Sequence, residues 1–245
     1  AKRTDAGTTN MGLAANQFSS TDNVTFDVED GYIWIKPIDT MVVTITGNTA
    51  TTAPVYDGQE HTVTGYTVTS NVPDNLFDPS KVVFDGNNAT ASRTLFGTTY
   101  MGLVASQFSY NDQNFTNVTF NLTDGYMYVK KRPVLIKGDT VFHKIYDGDT
   151  LCVRYDLLTY SEQQNANDNT GLVAGDVITT GEIYTDGTHV GTYICDQNNF
   201  MAFNDETYLA YNRLFGEPSV IQNYTPQFDV TLRIDPYTEL EAPEI

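Results

Sequence analysis

The sequence predicts an all-β to mostly-β fold built from tandem repeats, and three observations carry that reading. Thr, Val, Tyr and Phe, which suit a pleated and half-buried backbone, stand out among the uncharged residues, with Gly and Asn, which suit turns. A stretch of nineteen residues recurs 90 positions later with most of its letters unchanged. Asp-Gly pairs at 30, 57, 85, 124, 147 and 186 punctuate the apolar runs, and such pairs supply the positive φ angles of tight hairpin turns.

The repeat orders the elements. Residues 1–19 align with 91–109 at an offset of 90, and 13 of the 19 positions are identical, among them Arg3/Arg93, Gly7/Gly97, Met11/Met101 and Gln17/Gln107. The match resumes at Val24/Val118 with an offset of 94 and runs through Asp30-Gly31-Tyr32 and Asp124-Gly125-Tyr126. Val55-Tyr56-Asp57-Gly58 recurs as Ile145-Tyr146-Asp147-Gly148, again 90 residues on. The 245 residues therefore read as the C-terminal half of a repeat over 1–38, a complete β repeat over 39–133, a diverged and enlarged β repeat over 134–240, and a linker over 241–245. A half repeat is too small to bury a core by itself. Its strands are expected to be completed by a preceding half or, through self-association of residues 1–38, by strands of another copy.

Within the repeats, Met41, Val43 and Ile45 alternate with Val42, Thr44 and Thr46, and Val118, Phe120 and Leu122 alternate with Thr119 and Asn121. That is the period of two of a half-buried strand. Val24, Phe26 and Val28 repeat the pattern. Asp124-Gly125 falls between two such runs and predicts a hairpin, as Asp30-Gly31 does one repeat earlier. Helix candidates are few and short: 14–18, 104–108 and 205–214.

Charge excludes whole classes of partner. With 31 acids against 13 bases the net charge is -18, so phosphate backbones and anionic lipid heads are repelled and no nucleic-acid partner is expected. No run of 18 apolar residues occurs, so no membrane insertion is expected within this chain. Export and anchoring signals are expected to lie outside it.

The order of these motifs is informative. Val55-Tyr56-Asp57-Gly58, then Thr62-Val63-Thr64-Gly65-Tyr66, then Gly97-Thr98-Thr99-Tyr100, then Val118-Thr119-Phe120 with Asp124-Gly125, resembles the Tyr-Asp-Gly repeats of large bacterial surface proteins, often called MBG-type repeats. Gly171-Leu172-Val173-Ala174-Gly175-Asp176 is another phrase typical of that group. The resemblance implies small, β-grasp-like modules strung in tandem on an exported, adhesin-like protein at the cell surface. An immunoglobulin-like sandwich is the alternative arrangement of the same strands. The family shares no active site. Residues 156–170 and 198–223 enlarge the last copy beyond the usual pattern.

Candidate chemistry is sparse. His61, His143 and His189 have no second His or Cys at metal-ligand spacing, and no nucleophile-elbow, Walker or dinucleotide motif occurs. No catalytic residue, metal or cofactor is expected. The two cysteines, Cys152 and Cys195, form an even count in an exported β module, which favours a disulfide over two buried thiols. Tyr32 and Trp34, with Tyr126 and Tyr128 in the equivalent position, fit cross-strand packing or a sugar-stacking face. Tyr208, Tyr211, Phe215 and Tyr224 cluster in the enlarged last copy and are the candidate ligand-contact aromatics. The expected function is a structural and interaction segment, a stalk whose partners are neighbouring repeats of the same protein. The alternatives are a glycan- or host-protein-binding module centred on the last repeat, and a subunit of an extracellular filament assembled by strand addition.

Overall fold

The computed structural model describes residues 1–165, 167–178, 182–196, 200–201 and 220–238. The chain is mostly β: 44% is strand against 7% helical, no helix reaches seven residues, and the strands form several small sheets with no closed barrel among the described residues. Two compact units are distinguished, unit 1 holding residues 1–50, 62–91 and 99–126, and unit 2 holding 51–61, 92–98 and 127–245.

The first ten strands in chain order are β1 (Gly7–Asn10), β2 (Tyr32–Ile35), β3 (Ile38–Gly47), β4 (His61–Thr64), β5 (Tyr66–Ser70), β6 (Val82–Phe84), β7 (Thr90–Arg93), β8 (Gly97–Tyr100), β9 (Phe108–Tyr110) and β10 (Phe115–Thr123). In unit 1, β3 is the central strand. On one side lies β10 in parallel, Phe115 opposite Ile38; on the other lies β5 antiparallel, Val43 opposite Ser70. The alternation read from the sequence puts Met41, Val43 and Ile45 on one face, and all three are 0% exposed. They pack with Phe77, Leu103, Phe108 and Phe115, and Val118, Phe120 and Leu122 of β10 close over the cluster. Each such side chain contributes roughly 1.5–3 kcal/mol when buried. A one-residue slip of β3 would turn all three to solvent, so the register is firmly set.

The later strands are β11 (Tyr126–Val129), β12 (Arg132–Lys137), β13 (Phe142–Ile145), β14 (Cys152–Arg154), β15 (Thr159–Tyr160), β16 (Glu182–Tyr184), β17 (Gly191–Ile194), β18 (Phe200–Met201), β19 (Tyr224–Asp229) and β20 (Thr231–Asp235). Unit 2 has the same central pattern as unit 1. Strand β12 has a parallel partner, β19, with Arg132 opposite Tyr224, and an antiparallel partner, β15. A second sheet sets β20 between parallel β13 and antiparallel β17, and a third runs β14-β16-β18. Ile136, Val153, Ile183, Val230 and Leu232 fill the core.

Several local structures recur at the offsets of the sequence match. β1 and β8 begin 90 residues apart, as do the 3-10 turns Ala15–Gln17 and Ala105–Gln107; β2 and β11 begin 94 apart. Arg3 donates from Nε to the Asp5 carbonyl at 2.7 Å, and from its Nη atoms to the Ala6 and Thr8 carbonyls. Arg93 does the same to Leu95 at 2.8 Å and to Phe96 and Thr98. The glycine after each turn is required. Gly7 and Gly97 have φ +123° and +121°, and a Cβ there would strike the Arg3 or Arg93 guanidinium. An asparagine before the next sheet closes the motif: Asn114 Oδ1 accepts from Ala6 N–H at 2.7 Å, and Asn223 Oδ1 from Phe96 N–H at 3.0 Å.

Three sequence expectations are corrected. Asp124-Gly125 is not a hairpin turn, because β10 pairs with β3 and β11 with β8. The Asp124 carboxylate instead accepts from the N–H groups of Gly102 and Leu103 at 3.0 and 3.1 Å. Gly125 is needed for close approach: its Cβ would lie 2.6 Å from the Asn48 carbonyl oxygen. Residues 24–28 are not a strand, although their copy forms β10. A strand needs a neighbour for its main-chain hydrogen bonds, and no described strand stands beside 24–28 as β3 stands beside β10. Leu13, Phe18 and Val24 are accordingly exposed. The candidate helix 205–214 lies outside the described residues.

The third correction concerns the disulfide, which is absent: Cys152 and Cys195 are both free. Successive side chains of a strand face opposite ways. In β14 Val153 faces the core at 3% exposure, so Cys152 faces outward, whereas Cys195 is in that core. Burial pushes the Cys195 thiol up to about 11. Burial and Glu182 also raise Cys152. Iodoacetamide on the native chain should therefore label Cys152 slowly and spare Cys195, giving one adduct by mass spectrometry and two after denaturation. Two rapid adducts on native protein would contradict this placement.

Several carboxylates are held below their ordinary value of 3.8, Asp112 chiefly by the hydrogen bond from Lys81, Asp147 by Lys144, and Asp235 by His143. A depressed folded-state pKa contributes stability that is present above the ordinary value and lost as pH falls through the folded one. Acid should therefore lower the melting temperature from about pH 4 downward. Lys81→Met, which removes the 2.5 Å pair to Asp112, should flatten that dependence.

Candidate functional site

The Tyr-Asp-Gly motif at 56–58 lies in a polar site of unit 2. Val55 forms a parallel bridge to Lys130. The Lys130 N–H donates to the Pro54 carbonyl at 2.8 Å, and the Tyr56 N–H donates to the Lys130 carbonyl at 2.9 Å. Residues 54–56 thus pair in parallel with the chain just past the end of β11, through a single bridge. Gly58, at φ +78°, turns the chain away. Asp57 Oδ1 accepts from the Gln59 N–H at 2.9 Å and lies 2.9 Å from His61 Nε2.

The Tyr56 side chain is buried at 4% exposure and meets the Tyr224 ring edge-on, centroids 5.5 Å apart. Both phenols converge on one carboxylate oxygen. Tyr56 OH donates to Asp176 Oδ2 at 3.0 Å and Tyr224 OH at 2.5 Å, while Tyr224 OH accepts from the Val173 N–H at 2.9 Å. The Gly-Leu-Val-Ala-Gly-Asp phrase of the sequence therefore supplies the acceptor for the Tyr-Asp-Gly motif. Burial, and then the bond to Asp176, push Tyr56 up to about 12, and the same causes raise Tyr224. A raised phenol favours the neutral form in the fold, so its stability is present below the ordinary value of 10 and lost as pH rises through about 12. Alkaline unfolding should begin above pH 10 and start later in Tyr56→Phe once its lower baseline is subtracted.

Arg132 completes the site. It is 0% exposed at the start of β12. Its Nε donates to the Gly171 carbonyl at 2.7 Å, Nη1 to the Tyr56 carbonyl at 3.1 Å, and Nη2 to the carbonyls of Thr170, at 2.9 Å, and Asp168. The rigid five-donor fork of a guanidinium meets several carbonyls at once, which a lysine ammonium cannot do in the same geometry. One side chain ties the Tyr56 strand to the 168–171 loop.

A cavity of about 590 Å³ opens beside the motif, lined by Asp57, Gln59, Glu162, Gln163, Leu172 and Asp176 among others. Two of its three carboxylates are engaged, Asp57 by Gln59 and His61, and Asp176 by the two tyrosines. No group of three His, Cys, Asp or Glu that could hold a metal ion occurs among the described residues. What the arrangement does chemically is latch a strand.

Of the expected ligand-contact aromatics, Tyr208, Tyr211 and Phe215 lie outside the described residues. Tyr224 is 1% exposed, so its ring presents no face to a ligand. Tyr32 and Trp34 of β2 are 66% and 58% exposed. Sequence reasoning missed Arg132, Asp176 and the latch role of Tyr56. The usable signal was the recurrence of Tyr-Asp-Gly itself. Comparison with known proteins finds no matching family model, no similar curated protein and no similar solved structure.

Proposed function

We propose that the chain is a structural and interaction segment of an exported bacterial surface protein of the adhesin kind, a stalk of tandem β modules held outside the cell. One observation carries the reading: the Tyr-Asp-Gly sequence recurs with its backbone pairing. Tyr56 N–H donates to the Lys130 carbonyl with Val55 bridged in parallel, and Tyr146 N–H donates to the Asp235 carbonyl at 2.8 Å with Ile145 parallel to Asp235. A pairing that recurs with its sequence suits a chain of like modules, each built on the same plan around its own core. The -18 charge keeps such a stalk soluble. The resemblance to MBG-type repeats supports the same reading.

A screen of the 1–245 chain against glycans and host extracellular proteins tests it. A spacer shows no saturable binding, and Tyr211→Ala with Phe215→Ala changes nothing. Saturable binding abolished by those substitutions would establish a binding module instead.

A further inference from the structure

The site that Tyr56 fills in unit 2 has an open counterpart in unit 1. Parallel pairing sets the correspondence. Arg132 stands opposite Tyr224 as Ile38 stands opposite Phe115, and Asn223 and Asn114 precede those strands and accept from Phe96 and Ala6. Lys130 follows β11 as Lys36 follows β2. In unit 2 the Lys130 main chain is paired on both its N–H and its carbonyl, with Pro54 and Tyr56. In unit 1 no main-chain hydrogen bond among the described residues involves Lys36. Its edge is a short unpaired strand end, the feature to which an extended peptide adds.

Beside that edge lies a groove of about 560 Å³, lined by Lys36, Ile38, Leu76, Phe77, Phe115 and Asp74 among others. Phe115 holds the register position of Tyr224 and forms the buried floor of the groove, packed on Tyr110. Asp74, which makes no hydrogen bond or ion pair among the described residues, also lines the groove and offers an acceptor to a phenol. Leu76 is 48% exposed, an apolar side chain left open on the groove wall.

We propose that this groove is a docking site for an extended Val/Ile-Tyr-Asp-Gly segment of another repeat unit of the same kind, with the main chain paired to Lys36 and the tyrosine ring in the groove against Leu76. The chain's own two such segments are not free to fill it in a second copy: Tyr56 is paired to Lys130 and Tyr146 to Asp235. The inference rests on the tandem-module reading but is tested separately from the ligand screen, which either result here leaves untouched.

The experiment titrates the 1–245 chain with a synthetic peptide of the sequence of residues 51–60 and follows amide NMR shifts. Saturable shifts at Lys36, Ile38, Leu76 and Phe77 are expected. Binding should weaken by about tenfold or more, some 1.4 kcal/mol, when the peptide tyrosine becomes alanine. Leu76→Glu in the chain should weaken it similarly while leaving the melting temperature in place, since Leu76 is half in solvent. The chain alone should remain monomeric in analytical ultracentrifugation. Absence of shifts at the groove up to the solubility of the peptide, or equal binding of the alanine peptide, overturns the site. Self-association that the peptide competes away overturns the assigned source and makes the occupant a second copy.

Discussion

Arg132→Met destabilises unit 2 by about 3–5 kcal/mol, the sum for a few buried carbonyls left without a donor. The side chain is fully buried and its guanidinium serves four main-chain carbonyls. Methionine fills a similar volume but donates nothing, so those carbonyls are left in a dry interior without partners, each costing about 1–3 kcal/mol less whatever water can reach them. Arg132→Lys recovers only part of the loss, because an ammonium cannot span the Tyr56 carbonyl and the 168–171 loop together. Urea unfolding followed by a unit 2 probe reads the change. A loss below about 1 kcal/mol for the methionine variant would place Arg132 at a surface in solution.

Tyr56→Ala is the second large effect, again about 3–5 kcal/mol, as for other aromatic truncations in a packed interior. The ring is buried against Tyr224, so its loss leaves a cavity as well as an unpartnered Asp176 oxygen. Tyr56→Phe separates the two contributions. It keeps the packing and removes one hydrogen bond, at about 1 kcal/mol. Because Arg132 binds the Tyr56 carbonyl, the two sites share a network, and the double variant Arg132→Met with Tyr56→Ala should lose less than the sum of the single losses. Strict additivity would mean that the strand is held by independent contacts.

Much of the fold was legible because one face of a strand is dry. The alternation of Met41, Val43 and Ile45 marked a buried face, and that of Val118, Phe120 and Leu122 a half-buried one. The Cys152 placement was also readable, since Val153 beside it is the more apolar candidate for the core and the two must point apart. What failed were inferences from local turn chemistry to long-range pairing. Asp124-Gly125 looked like a hairpin because Asp-Gly is a turn dipeptide, yet its carboxylate caps N–H groups 21 and 22 residues away. Residues 24–28 carry the apolar letters of β10 without its neighbour, and a strand is a property of a pair. Arg132 could not be found by type, because an arginine is ordinarily a surface residue. The Tyr-Asp-Gly motif announced itself by recurrence, but the sequence could not say that Asp176, 120 residues on, receives its hydroxyl.

A Tyr-Asp-Gly segment pairs with the edge past β11 in unit 2, and the matching edge past β2 in unit 1 is open among the described residues. Native-state amide hydrogen exchange reads both edges in one experiment. The Tyr56 and Lys130 amides should exchange only with the unfolding of unit 2, while the Lys36 amide exchanges near the rate of an unstructured peptide and slows when the 51–60 peptide is added. Equal protection of Lys36 and Lys130 in the chain alone, or rapid exchange at Tyr56 and Lys130, would contradict this pairing.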